Sequence, residues 1–500
     1  MTTDSNRPSA SAALAALALP TFMASLDTGI ANAALPTLAR AFSASFPAVQ
    51  WIVLAYLLAI TTTVAGAGRL GDRLGRRRML IVGVALFTLA SLACGLAPDL
   101  GWLLVARAGQ GVAAAVMMAL SLAFVGEIVP PERTGRAMGV LGTLSAIGTA
   151  TGPSLGGLLI AGFGWRPIFL VNIPMGLLTL GLVLRQLPAD RTRPARGGLD
   201  PLGTLLLAAS LGAYALAMTR ERGAIGVLAL LLVALVGAAA FALVEKKAAS
   251  PLVPLELARD RDRVTGLATS AVVSAVLMST LVVGPFYLAR ALGLPPALVG
   301  VVLSVGPLVA AASGLPAGRL ADLLGAARTT RIGLAGIALG AAALAVLPAR
   351  LGVPGYLAPI ALLTASYALF QTSNNSLVLS GVEKDRRGVV AGLLSLARNL
   401  GLITGASVMG SVFALGVGHE GVATAPPEAI AAGMRLTFAT SAALVIAALV
   451  AATSFGPRLR SRHGRPAPAL APRPQAWGEG LAAREVRPAR QIARSNREEG

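Results

Sequence analysis

Fourteen stretches of predominantly apolar residues, most about twenty long, divide this 500-residue chain. A polypeptide built this way has few options. A helix needs about 20 apolar residues to cross the hydrocarbon of a bilayer, and there only helices and closed barrels satisfy their own backbone. The runs fall near 11–33, 50–68, 79–97, 101–125, 137–161, 167–185, 201–219, 223–244, 265–289, 296–317, 332–349, 355–378, 389–415 and 433–455. The first is longer than a signal-peptide core, contains Asp27 and lacks a clean small-residue cleavage site, so it is expected to be a retained span. Charged residues make up only 13% of the chain, against about 25% in a soluble protein. The expected fold class is an all-α integral membrane protein with fourteen transmembrane helices.

The even number of spans places both termini on one side. Lys and Arg choose the side, because cytoplasmic loops carry the excess. The loops and tails on the side of the termini hold 33 of these residues and the opposite loops hold six: Arg40, Arg166, Arg220, Arg222, Arg290 and Arg350. Both termini are therefore expected in the cytoplasm. Trp51, Trp102 and Trp165 then open spans at the outer interface, where indoles prefer to sit. The net charge of +20 is spread between apolar runs and forms no basic, aromatic-interleaved domain, which argues against nucleic acid. One cysteine, Cys94, and two histidines, His419 and His463, exclude a disulfide framework and argue against a Cys/His metal site. Cys94 reads as a small core residue. The Arg-, Pro- and Ala-rich tail from 456 to 500 reads as a disordered cytoplasmic segment.

An internal repeat organises the runs. Residues 68–75 read GRLGDRLG and residues 318–325 read GRLADLLG, an offset of 250. Gly135, Gly139, Gly148 and Gly152 align with Gly388, Gly392, Gly401 and Gly405 at an offset of 253. Two homologous six-span halves, 11–185 and 265–455, follow a tail at 1–10 and flank a segment at 186–264 that carries an inserted two-span hairpin. Two six-span halves with a midplane site between them is a transporter plan.

Several polar groups interrupt the apolar runs. GRLGDRLGRRR (68–78) reads as a short loop at the cytoplasmic end, with Gly68, Asp72, Arg73, Gly75, Arg76 and Arg77 as a charged gate. Gly318, Asp322 and Gly325 form its second copy. The GAGRLG within 66–71 matches a dinucleotide fingerprint in letters only, since no βαβ unit surrounds it. Asp27 is the only acidic residue well inside a span, and a buried carboxylate is costly unless paired or protonated. Asp27 and Arg107 each lie about six residues from the outer end of their runs, roughly 9 Å deep at 1.5 Å per residue. The two are expected to be level and to pair, with Asp27 as a proton carrier and Arg107 tuning it, or as a static ion pair. In GTATGPSLGG, Gly148, Gly152, Pro153, Gly156 and Gly157 mark a bent span open to close helix approach. Arg398, Gln371, Asn374 and Asn375 are candidate cavity groups, with snorkelling or interhelical hydrogen bonding as the plainer alternative. Neither histidine nor the cysteine belongs to a catalytic constellation, and no P-loop pattern is present, so no enzyme is expected.

Together these segments resemble the major facilitator superfamily over nearly all of 11–455. GRLGDRLGRRR is similar to its signature loop between spans 2 and 3, LLVARAGQG (103–111) to its span-4 motif, and GTATGPSLGG to its antiporter motif. LDTGIANAALP (26–36), WRPIFLVNIPMG (165–176) and the central hairpin resemble the fourteen-span drug:proton antiporter branch. Pro167 stands where an aromatic is usual. The resemblance implies alternating access by rocking halves and efflux of lipophilic or amphiphilic compounds driven by the proton gradient. It also implies a bacterial cytoplasmic membrane, and a monomer that needs protons, a small-molecule substrate and lipid but no cofactor.

Overall fold

The computed structural model describes residues 10–129, 134–190, 201–219, 223–247, 260–346, 349–382, 387–418, 421–422 and 424–454. The tail at 456–500 and nearly all of 1–10 lie outside them. The first half comprises α1 (Ala10–Ala41), α2 (Phe46–Leu74), α3 (Arg76–Gly95), α4 (Leu100–Ile128), α5 (Thr134–Phe163), α6 (Pro167–Leu170) and α7 (Asn172–Gln186). The hairpin is α8 (Pro201–Thr219) and α9 (Ala224–Lys247). The second half comprises α10 (Arg261–Phe286, continued by a π-turn over Tyr287–Ala291), α11 (Pro296–Leu324), α12 (Ala326–Val346) and α13 (Gly352–Leu379). It ends with α14 (Arg387–Thr404), a π-turn over Gly405–Met409, α15 (Gly410–Val417) and α16 (Pro427–Ser454). Fourteen candidate spans are long and apolar enough to cross a bilayer, and no strand occurs among the described residues.

Three expected spans are more complex than their apolar runs suggest, the ninth because α10 ends in the π-turn over Tyr287–Ala291. The sixth is broken into α6 and α7. Pro167, the departure from the usual aromatic, sits at the first position of α6, where a missing N–H costs nothing. The thirteenth carries a π-turn between α14 and α15.

The repeat reappears in the packing. α2 and α3 meet at Gly75 with φ +100°, and α11 and α12 meet at Gly325 with φ +80°. These are left-handed corners that favour glycine. A Cβ on Gly148 or Gly152 would strike the backbone of α1 at Phe22 or Leu26, and one on Gly401 or Gly405 would strike α10 at Ala271 or Ala275. The α1–α5 and α10–α14 pairs therefore approach through the same glycines, one in each half.

The halves join at the end opposite the 68–78 loop. Phe46 packs against Phe286 (5.0 Å between centroids) and Phe413 (5.2 Å) of the other half. Buried Gln50 donates from Nε2 to Ala406 O at 2.8 Å, inside the π-turn. Ser154 N donates to Ser304 Oγ at 3.0 Å. One large apolar core unites both halves there. Toward the loop end the core splits into two clusters, one confined to each half. A Cβ on Gly139, Gly142, Gly314, Gly318 or Gly392 would meet nothing within 4 Å. The molecule is closed at the far end and parted at the loop end.

The hairpin leans on this closed end. α8 binds the first half where Trp51 Nε1 donates to Thr219 Oγ1 (3.1 Å). It binds the second through Tyr214 OH and Thr404 Oγ1 (3.2 Å) and through Ser411 Oγ, which donates to Met218 O.

Candidate functional site

Asp27 and Arg107 meet in the first half, each 1% exposed, with Arg107 Nη1 donating to Asp27 Oδ2 at 2.5 Å. The expected equal distances from the outer ends do not hold: α1 runs to Ala41, fourteen residues past Asp27, because ALPTLARA continues the helix through Pro36. α1 overshoots α4 at the far end, and the two groups are level despite unequal distances from their helix ends.

Five helices converge on the pair. Gln110, one turn past Arg107 on α4, accepts from Arg107 Nη1 (2.8 Å) and donates from Nε2 to Asp27 Oδ1 (3.3 Å) and Ser91 Oγ (2.7 Å). Asn172, the first residue of α7, donates from Nδ2 to Asp27 Oδ1 at 2.9 Å. Cys94 is more than filler, since its thiol donates to Gln110 Oε1 at 3.2 Å. Arg107 Nε donates to Ile52 O (3.0 Å), and its guanidinium lies 4.4 Å from the centroid of the Tyr56 ring. Asp27 thus accepts three hydrogen bonds from side chains, two neutral amides and a guanidinium. That set stabilises an ionised carboxylate away from water. All of these groups belong to the first half. The sequence carried a signal for Gln110, three residues from Arg107 on one helical face. Asn172 follows a helix break and has no periodic signature.

The loop at 68–78 is fastened within the first half. Asp72 pairs with Arg76 (2.8 Å), which also reaches Glu127 (3.3 Å) and Ala123 O (3.2 Å). Arg73 is exposed. The anion at the helix N-terminus is Asp190, a residue the sequence did not single out. Its carboxylate accepts from Arg77 N (2.8 Å) and Arg78 N (3.0 Å) and lies against Gly75. This caps α3 and holds the loop to the end of α7. Replacing a capping Asp by Ala costs about 1 kcal/mol. Asp190→Ala is expected to lower the unfolding midpoint slightly and to speed hydrogen exchange at the Arg77 and Arg78 amides. Unchanged exchange there would refute the cap.

The second copy of the loop differs. Asp322 is exposed and has no ion pair among the described residues, and Gly318 and Gly325 face open space. Its helix lacks an arginine at the position of Arg76, where Ala326 stands. The glycines of α5 divide their work. Gly148, Gly152 and Gly156 face α1, whereas a Cβ on Gly157 would strike Pro296 O of the other half. Pro153 lies inside an unbroken α5, and its carbonyl is what a Cβ on Gly300 of α11 would strike.

Of the cavity candidates, Asn374 is reassigned. It is 2% exposed and donates from Nδ2 to Gly266 O at 3.0 Å, joining α13 to α10. Arg398, Gln371 and Asn375 are half-buried and make no hydrogen bond with a described side chain or backbone group.

The comparisons agree with this architecture. The sequence profile of the Major Facilitator Superfamily matches residues 17–406. Multidrug resistance protein Stp of Mycobacterium tuberculosis is 35% identical over 407 residues, covering 80% of this chain and 75% of Stp. Riboflavin transporter RibZ of Clostridioides difficile is 31% identical, covering 79% and 86%. The tetracenomycin C resistance and export protein of Streptomyces glaucescens is 29% identical, covering 81% and 76%. Among solved structures, an inward-facing bacterial homolog of the human lysosomal transporter Spinster superposes with a TM-score of 0.65 at 16% identity, covering 89% of this chain and 97% of that one. A matching profile, a fourteen-span helical body and glycine-packed halves lead to one conclusion: this chain is a multi-pass membrane protein of the Major Facilitator Superfamily, a transporter rather than an enzyme.

Proposed function

We propose that the protein is a proton-coupled exporter of lipophilic or amphiphilic small molecules, working as an antiporter by alternating access. The observation that carries this reading is the Asp27 site: a carboxylate sealed 1% exposed within the spans, held by Arg107, Gln110 and Asn172. Protonation removes the charge that all three donors face, and so changes the stability of the closed first half. With the 68–78 loop in the cytoplasm, the described state is open inward and ready to load substrate. The proton gradient supplies the energy, no cofactor takes part, and one copy suffices. Multidrug, drug-efflux and tetracenomycin-export names among the relatives support export. The riboflavin transporter relative supports a second reading, movement of one specific metabolite.

Everted membrane vesicles holding an acid-inside gradient test the proposal. Lipophilic compounds are expected to collapse the gradient only when the protein is present. A gradient that no compound disturbs, with riboflavin moving downhill by itself, would replace antiport with facilitated transport.

A further inference from the structure

The second half contains a polar group of its own, and its charge bears on what the protein carries. This inference rests on the export reading above and adds the chemical class of the cargo. Arg398 is twelve positions into α14, counting from Arg387, or about 17 Å along the helix axis at 1.5 Å per residue. It is far from the helix end, where a long side chain snorkels most easily. Its direction follows from its neighbours. Gly401 and Gly405, three and seven residues on, face the backbone of α10. Leu394, four residues back, belongs to the apolar cluster with Val378 and Val382 at the end of α13. Arg398 therefore shares the face of α14 that packs toward α10 and α13.

Its surroundings are polar and unsatisfied. Tyr367 of α13 lies within electrostatic range of the guanidinium. Gln371 and Asn375 follow Tyr367 at four-residue steps along one face of α13. None of Tyr367, Gln371, Asn375 and Arg398 has a hydrogen bond or ion pair from its side chain to a described residue, and all four are only half-buried. They lie toward the end where the halves part.

No described carboxylate shares this space. Asp27 is sealed in the first half, and Glu127 pairs with Arg76 at the loop end. Glu245 closes α9 of the hairpin, Asp99 and Glu428 stand at far-end helix starts, and Asp72, Asp190, Asp260, Asp262 and Asp322 lie at loop-end helix termini. An unpaired guanidinium facing a phenol offers hydrogen-bond donors in a fork that fits carboxylate or sulfonate. A cation entering the same space is repelled by the guanidinium and meets no described carboxylate to pair with.

We propose that Arg398, with Tyr367, receives an anionic group of the substrate, on the polar face that Gln371 and Asn375 continue along α13. The protein then carries neutral and anionic amphiphiles and rejects lipophilic cations.

Binding to the purified full-length protein in lipid nanodiscs tests this without any gradient, so it stands apart from the test of antiport. The probes are two xanthene dyes of similar ring size, anionic fluorescein and cationic rhodamine 6G, read by fluorescence polarisation. The wild type is expected to bind fluorescein and to bind rhodamine 6G at least about tenfold more weakly, the scale of one charge-assisted hydrogen bond. Arg398→Gln is expected to lose that preference, and Arg398→Lys to keep most of it, which separates charge from folding. Equal binding of both dyes, binding of neither, or an unchanged preference in Arg398→Gln would overturn the proposal. If the preference is found but vesicles show no exchange, the substrate class stands and antiport fails.

Discussion

Asp27→Asn is expected to abolish compound-driven proton movement in everted vesicles and to lower stability as well. The side chain keeps its size and its hydrogen bonds to Gln110 and Asn172, but Arg107 is left charged, 1% exposed and without a counter-ion. Breaking a buried pair from one side costs about 3–5 kcal/mol. Lost transport alone is therefore ambiguous, and the design must separate coupling from folding. Replacing both partners with apolar residues, Asp27→Leu with Arg107→Met, removes the orphaned charge. The double variant is expected to recover most of the thermal stability lost in Arg107→Met alone, because a packed apolar pair substitutes well for a buried ion pair. It is expected to stay silent in the gradient assay. Thermal unfolding of the purified variants in detergent gives the first measurement and gradient collapse the second. A stable double variant that still exchanges protons for substrate would show the pair to be structural.

The second large effect is conformational. Gly300 approaches Pro153 across the seam between α11 and α5 so closely that a Cβ would overlap the Pro153 carbonyl and press on Gly157 at 3.1 Å. Backbone cannot swing aside as a side-chain tip does. Gly300→Val is expected to hold the far end open, since overpacking costs about 1–3 kcal/mol and each 1.4 kcal/mol shifts the two-state ratio about tenfold. Transport should fall sharply with little loss of folded protein. A cysteine replacing Phe46, introduced with Cys94→Ser, should react with a membrane-impermeant maleimide much faster in the Gly300→Val background. Gly152→Val is the contrast: its neighbours are Leu26 and Gly29 in the same half, so it should destabilise rather than trap. Gly392→Ala, in open space, should do neither. Equal labelling in all backgrounds would remove the seam from the gating path.

The fold was legible because hydrocarbon leaves so few alternatives. Run length located the spans, and the glycines of the repeat are the ones through which α1 meets α5 and α10 meets α14. The ends of spans were not legible. α1, α2 and α11 run several residues past their apolar cores into water-facing turns, which hydropathy does not see. Asp27 and Arg107 stood out as charges in apolar sequence, and they do meet. Gln110 shares a helical face with Arg107, but Ser91 and Cys94 did not stand out, because their roles depend on α3 and α4 lying side by side. Asp190 is 113 and 112 residues from the two amides it caps, beyond any local pattern. Asn374 and Asn375 are adjacent in sequence, but a rotation of about 100° between neighbours gives one to α10 and leaves the other in the half-buried polar face.

Every side chain around Asp27 comes from α1 to α7, and none from the second half. If the first half holds the proton and Arg398 in the second selects the cargo, then energy source and cargo reside in separate halves of the repeat. The two communicate through the seam where glycines, Phe46, Gln50 and Ser154 meet the other half, and through α8, which is bonded to both. Descent by duplication explains how two similar bodies arose. The placement of these groups suggests how they diverged: one half keeps the coupling machinery, and the other is left freer to vary what is expelled.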